Sequence, residues 1–313
     1  MLKSVARTGT HLLTYPSVLL VLAMLFWAGN TVAARLAREN ISPLLLVALR
    51  WIVVIAALWP LYGAEIRQQA GLVKRRWLWF LMMAAAGFTG FNVLFYYAAY
   101  STTAVNIGIL QGSMPIFVLA GAFALYGSRP SPIQVLGAVI TALGVLFVAT
   151  GGAPTSILHT AVGRGDALML VACVLYSIYT LALRERPPMN GAAFFTLLAG
   201  FAALTSLPLP LVDAWQGTLQ VPTLKGLAVA LYVAIFPSCL AQIFFLRGVD
   251  QLGPSRAGVF LNLVPIFSAL LAVSLLGEPF RWYHAVAMAM VVGGIWVAER
   301  GQRQTQPQGP ERT

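Results

Sequence analysis

The sequence predicts an all-α polytopic membrane protein whose ten transmembrane helices form two inverted five-helix repeats. Composition is the first ground: of 313 residues, 59% are hydrophobic and 9% charged, with a mean hydropathy of +0.81, whereas roughly a quarter of the residues in a soluble domain are charged. The second is length, because apolar runs near 20 residues recur along the whole chain, enough to cross ~30 Å of hydrocarbon as a helix. The third is an internal echo. Met114-Pro115-Ile116-Phe117 returns as Val264-Pro265-Ile266-Phe267, 150 residues later, and at the same offset Gly108, Ala122, Leu125, Gly127 and Gly144 meet Gly258, Ala272, Leu275, Gly277 and Gly294. An ungapped register running from one apolar segment into the next marks an internally repeated membrane fold.

Along the chain, residues 1–15 form a short cytoplasmic segment whose Lys3 and Arg7 precede an apolar run, a pattern that resembles a signal sequence. The run from Pro16 contains Trp27 and Asn30 and is long enough to span, so it reads as a retained first helix. Pro, Gly and charge clusters then set the breaks, giving spans at 16–35, 43–62, 77–100, 103–126, 132–150, 166–184, 190–212, 223–246, 255–276 and 282–299. The first repeat covers 16–150, a loop 151–165 joins it to the second repeat at 166–300, and the polar residues 301–313 read as a disordered cytoplasmic tail.

With the N-terminus inside, the inner face receives fourteen Lys and Arg residues and the outer face five (Arg35, Arg38, Arg164, Lys225 and Arg281), which places both termini in the cytoplasm of a multi-pass inner (plasma) membrane protein. Five crossings per half force the second half to enter from the opposite face, so the repeats are related by inverted topology. Span four then pairs with nine, five with ten, and one with six, where Trp27, Thr31 and Arg35 meet Tyr176, Thr180 and Arg184 at an offset of 149.

Charged and amide side chains are costly in hydrocarbon, so within spans they face a cavity or a partner helix. The candidate substrate-binding residues are Trp27, Asn30, Arg50, Asn92, Tyr96, Gln111, Tyr176, Tyr179, Gln242 and Asn262, whereas spans five and ten are nearly free of such groups and read as peripheral. Asn92, Tyr96 and Tyr100 follow at i, i+4 and i+8 and share one helix face. A polar-aromatic stripe of this kind suits an amphipathic small molecule with a ring, or else a hydrogen-bonded helix seam, and Tyr100 reads as an interfacial belt residue. Arg50, about 7 residues into span two, either binds a substrate carboxylate or snorkels outward to backbone carbonyls at helix ends, and the second reading is favoured. Pro115 and Pro265 each remove one helix hydrogen bond and are expected to kink their helices, freeing the carbonyls of Gln111 and Leu261. Gly108 and Gly112 favour close helix packing.

Other classes fit poorly. The net charge of +11 in so apolar a chain reads as cytoplasmic loops facing anionic headgroups, with no nucleic-acid partner. Cys173 and Cys239 lie inside apolar runs, and His11, His159 and His284 lack ligand spacing, so neither a disulfide framework, a metal site nor a cofactor is expected. No intramembrane Ser–His pairing, paired Asp or H-E-x-x-H marks an intramembrane enzyme. Every Asp and Glu falls at a helix end, loop or tail. Proton-driven carriers commonly use an intramembrane carboxylate, so its absence favours facilitated, gradient-driven transport, with proton exchange through His284, Glu278 or the substrate as the alternative. No oligomeric state follows from the sequence.

Phe26-Trp27-Ala28-Gly29-Asn30 in span one, Leu49-Arg50-Trp51 in span two, Tyr96 to Ala104 before the Pro115 helix, and Pro265 followed by Leu276-Gly277-Glu278-Pro279 resemble the drug/metabolite transporter superfamily, EamA type, over about residues 16–300. Within it the chain is most similar to bacterial aromatic amino acid exporters of the YddG kind. The resemblance implies two inverted five-helix repeats around a central cavity and efflux of amino acids or related metabolites across the inner membrane. It departs at Gly127-Ser128, where the first half lacks the Glu of Gly277-Glu278. The alternative functions are export of cationic drugs on the same fold and, less well supported, an intramembrane enzyme. The small-molecule substrate and the lipid bilayer are the expected partners.

Overall fold

The computed structural model describes residues 15–153 and 163–305. Among them there is no strand, and ten helices are long and apolar enough to cross a membrane: Pro16–Ala37, Pro43–Gln68, Trp77–Ala98, Ala104–Tyr126, Pro132–Ala149, Arg164–Glu185, Gly191–Trp215, Leu224–Leu252, Arg256–Leu276 and Trp282–Arg300. These are spans one to ten below. Large apolar side chains such as Leu125, Leu136, Leu204, Leu231 and Leu270 are exposed on their outer faces, as hydrocarbon allows and water would not. The expected disordered tail needs correction at 301–305, because the last helix runs on to Thr305. A single Gly does not stop a helix, and the first proline after Gly301 is Pro307. The expectations for residues 1–14, 154–162 and 306–313 lie outside the described residues.

The packing repeats with the sequence. Span one lies against spans eight and nine, just as span six lies against three and four; span two runs along seven, four along nine and five along ten. The last pair is held by small residues. A Cβ at Gly137 would overlap the Gly294 carbonyl, and one at Gly144 would sit 2.9 Å from the Ala287 carbonyl. Gly108 likewise lies on Ser268 and Gly112 on Val291, so both glycines serve close helix approach.

The helices that carry the two prolines of the echo are interrupted just before them. Span four is α-helical over Ala104–Gln111, turns at Gly112 and Ser113, and restarts at Met114–Tyr126; span nine breaks at Leu261 and Asn262 before Leu263–Leu276. Pro115 and Pro265 therefore fall in the first turn of a new segment, where the missing N–H was to be unpaired anyway. The Leu261 carbonyl is not freed, since it accepts from Val264 N at 3.1 Å.

A second mirrored irregularity is absent from any sequence period. Span three contains a π-helical stretch, Ala85–Gly90, and span eight another, Ala234–Leu240, again about 150 residues apart. Such widened turns leave carbonyls short of their usual partners and recur at functional sites.

Candidate functional site

In span eight the cause of the wide turn is Pro237, which cannot donate to the Val233 carbonyl four residues back. The hydroxyl of Ser238 donates to that carbonyl instead, at 2.6 Å. In doing so it presents a lone pair to the bilayer interior, and Arg50 Nε donates to it at 2.7 Å. The Pro237 carbonyl itself accepts from Trp27 Nε1 at 3.0 Å. In span three the wide turn exposes the Phe88 carbonyl, which accepts from Asn92 Nδ2 at 2.6 Å, fixing the amide with its oxygen toward span two. Gly87 is required there, because any Cβ would overlap the Tyr179 ring.

Arg50 is the centre of the site. Its Nη1 donates to Asn92 Oδ1 at 2.6 Å and to the Tyr96 hydroxyl at 2.9 Å, and the Tyr96 hydroxyl in turn donates to Asn30 Oδ1 at 3.1 Å. Spans one, two and three of the first repeat and span eight of the second thus meet in one chain of hydrogen bonds, in which each member polarises the next. The cluster is shut: Asn30, Arg50, Asn92, Tyr96 and Ser238 are 5%, 6%, 3%, 1% and 3% exposed. The outward-snorkelling reading of Arg50 is therefore corrected. The neutral oxygens of Ser238, Asn92 and Tyr96 hold the guanidinium deep in the helix bundle, where it cannot reach the backbone at helix ends.

No carboxylate lies within ion-pair distance of Arg50 among the described residues; the pair found there is Arg35 with Glu278. A guanidinium does not deprotonate in proteins, and burying an ion without a counter-charge carries a penalty of several kcal/mol. Its charge is offset here by dipoles and by the Trp51 ring, whose centroid is 5.3 Å away. Trp51 stacks on Phe88 at 4.9 Å, and the aromatic wall continues through Tyr179 (5.3 Å from Phe88), Tyr176 and Phe91.

Of the candidates read from the sequence, Asn30, Arg50, Asn92 and Tyr96 come together, Tyr176 and Tyr179 form the adjoining wall, and Trp27 braces the wide turn of span eight. Gln111 turns back to its own helix, donating to the Ile107 carbonyl at 3.4 Å. Gln242 is half-buried and Asn262 occupies the break in span nine; neither hydrogen-bonds the cluster. Tyr100 donates to the Arg38 carbonyl at the bundle end, as a belt residue would. Sequence reasoning missed Ser238 in the cluster, and Trp51, Phe88 and Phe91 in the wall. The signal for Ser238 was the Pro237-Ser238 pair inside an apolar run, a proline with a hydroxyl beside it to take up the orphaned carbonyl.

The comparisons agree with this architecture. The EamA-like transporter family matches the chain twice, over residues 15–150 and 163–299, once per repeat. Relatives include the uncharacterized transporter YetK of Bacillus subtilis (strain 168), 25% identical over 299 residues that cover 95% of this chain and 91% of the relative. Another, YdeK of the same organism and likewise an uncharacterized transporter, is 26% identical over 290 residues, covering 89% and 95%. A solved crystal structure, 19% identical, superposes with a TM-score of 0.62 over 93% of this chain and 99% of the other, a likeness of fold. The chain belongs to the EamA-like transporter family, as a multi-pass membrane transporter.

Proposed function

We propose that the protein exports amino acids, aromatic ones among them, and related small metabolites across the inner (plasma) membrane by alternating access between its two repeats, with both termini in the cytoplasm. The observation that carries this reading is the Arg50 cluster: a buried cation without a carboxylate, held at the junction of the repeats beside an aromatic wall. A substrate carboxylate supplies the missing charge. Charge-assisted bonds are roughly twice as strong as neutral ones, so an incoming carboxylate can displace Asn92 or Tyr96 from Nη1 while the substrate ring packs on Trp51, Phe88 and Tyr179. The orientation in the membrane comes from the excess of Lys and Arg on the face that holds the termini. The buried carboxylates Asp166, Asp213 and Glu278 lie at span ends, which fits facilitated, gradient-driven movement. A cationic drug ranks second as substrate, because it would meet the fixed charge of Arg50 and no acid in the cluster.

Purified protein in liposomes is expected to carry labelled phenylalanine or threonine down an imposed gradient. Tyr96→Ala or Asn92→Ala is expected to lower the flux several-fold while the protein stays folded by size-exclusion profile. Absence of protein-dependent flux across a full amino acid panel would overturn the substrate assignment.

A further inference from the structure

Beyond the substrate site, the geometry points to Glu278 as a gating residue that latches one end of the bundle. Glu278 lies in the short connection between spans nine and ten, and only 9% of it is exposed. Its carboxylate accepts from the backbone N–H groups of Ala104 and Val105, at 3.0 and 3.1 Å, capping the first turn of span four. It also pairs with Arg35 Nε at 3.3 Å, at the end of span one. Arg35 in turn donates to the Ala99 and Thr102 carbonyls, at 2.8 and 3.3 Å, in the connection between spans three and four. That connection is pinned from its other side by Asp166 of span six, which accepts from Thr102. One carboxylate from the second repeat thus ties together three elements of the first.

Its position decides what the latch closes. Arg35 follows Asn30 by 5 residues and Ala99 follows Tyr96 by 3, so the latch lies about one helical turn beyond the Arg50 cluster along spans one and three. An occupant of the cluster can leave by that end only if the latch parts. At the opposite end the mirrored position is Ser128, and the mirrored arginine, Arg184, lies over the Tyr126 ring at 4.7 Å. Across that end Arg76 donates to a backbone carbonyl, that of Glu185, at 3.0 Å. In an inverted repeat the two ends open alternately about a fixed site. The Glu278 latch holds its own end shut at rest, and parting it is a required step of each cycle. By the charge bias of the loops the latched end faces outward.

The inference rests on the family's transport function and not on the substrate. The test is a cysteine buried within the latch, Ala104→Cys in a background with Cys173 and Cys239 replaced by Ala, reacted with a membrane-impermeant maleimide in intact cells and in inside-out vesicles. With Glu278 present, labelling from the outside is expected to be slow. Glu278→Gln, or Arg35→Gln should the first variant fold poorly, is expected to speed it roughly tenfold, the factor that follows from losing one charge-assisted contact. Monodisperse protein with an unchanged labelling rate in both variants would reduce Glu278 to a helix cap and overturn the gate. Acceleration seen only in inside-out vesicles would keep the gate and overturn its outward placement. Neither result depends on which compound is carried.

Discussion

The corner at Gly127-Ser128 and the corner at Gly277-Glu278 are the same piece of backbone used in two ways. Each helix ends on a glycine in the left-handed region, φ 63° and 66°. Each glycine N–H returns to the carbonyl four residues back, Phe123 at 3.0 Å and Val273 at 3.2 Å, and each following N–H returns six back, to Ala122 and Ala272, both at 3.3 Å. This hydrogen-bonded helix ending needs glycine and little else. The side chain that follows is then free to differ: a serine at one end, a carboxylate that ties three elements together at the other. The Arg50 level repeats the lesson. Spans three and eight widen at mirrored places, yet the arginine of span two has Ala199 and Gly200 as its counterparts in the sequence of span seven, about 150 residues on. The backbone is symmetric and the polar side chains are not; in the proposed cycle the first lets the two ends exchange roles, and the second gives the exchange a site and a preferred resting state.

The difference can be broken most strongly at the centre. Arg50→Leu is expected to reduce flux by more than about tenfold, since a carboxylate loses its charged partner, whereas Gly200→Ala at the mirrored position is expected to leave flux near native. A Cβ there would meet Ile55 at 3.5 Å, an ordinary contact. Matched flux assays in liposomes separate the two, and equal losses would mean that both halves carry the chemistry. At the corners the effect is smaller and falls on stability. Glu278→Ala leaves two backbone N–H groups and Arg35 Nε without their acceptor, a cost of about 2 kcal/mol, and is expected to lower the thermal midpoint in detergent. Ser128→Ala is expected to stay within about 0.5 kcal/mol of native, so a comparable loss there would contradict the asymmetry.

Much of this was legible in the sequence, for reasons that differ by element. The spans follow from composition, and the repeat from the positions of Pro115, Pro265, Gly127 and Gly277, residues that act on the backbone directly. Asn92 and Tyr96 could be placed on one face because helix periodicity fixes it. Arg50 itself was visible, but its partners were not. Whether an arginine snorkels or stays inside depends on which neutral oxygens come within reach, and Ser238 reaches it only because Pro237 widens span eight. A wide turn adds no residue pattern of its own, so it escapes any reading by period. Glu278 was conspicuous as a departure between the halves, while its contacts with Ala104, Val105 and Arg35 join residues about 170 to 240 positions apart and needed the fold.

The central claim, that the unpaired charge of Arg50 is the recognition element for a carboxylate, is tested most directly by ligand-induced thermal stabilisation of the purified protein with phenylalanine and with phenylethylamine, the same ring and amine without the carboxylate. The native protein is expected to gain several degrees with saturating phenylalanine and little with the amine, and Arg50→Gln is expected to respond to neither. Equal stabilisation of the native protein by both compounds, or an undiminished response of Arg50→Gln to phenylalanine, would contradict it.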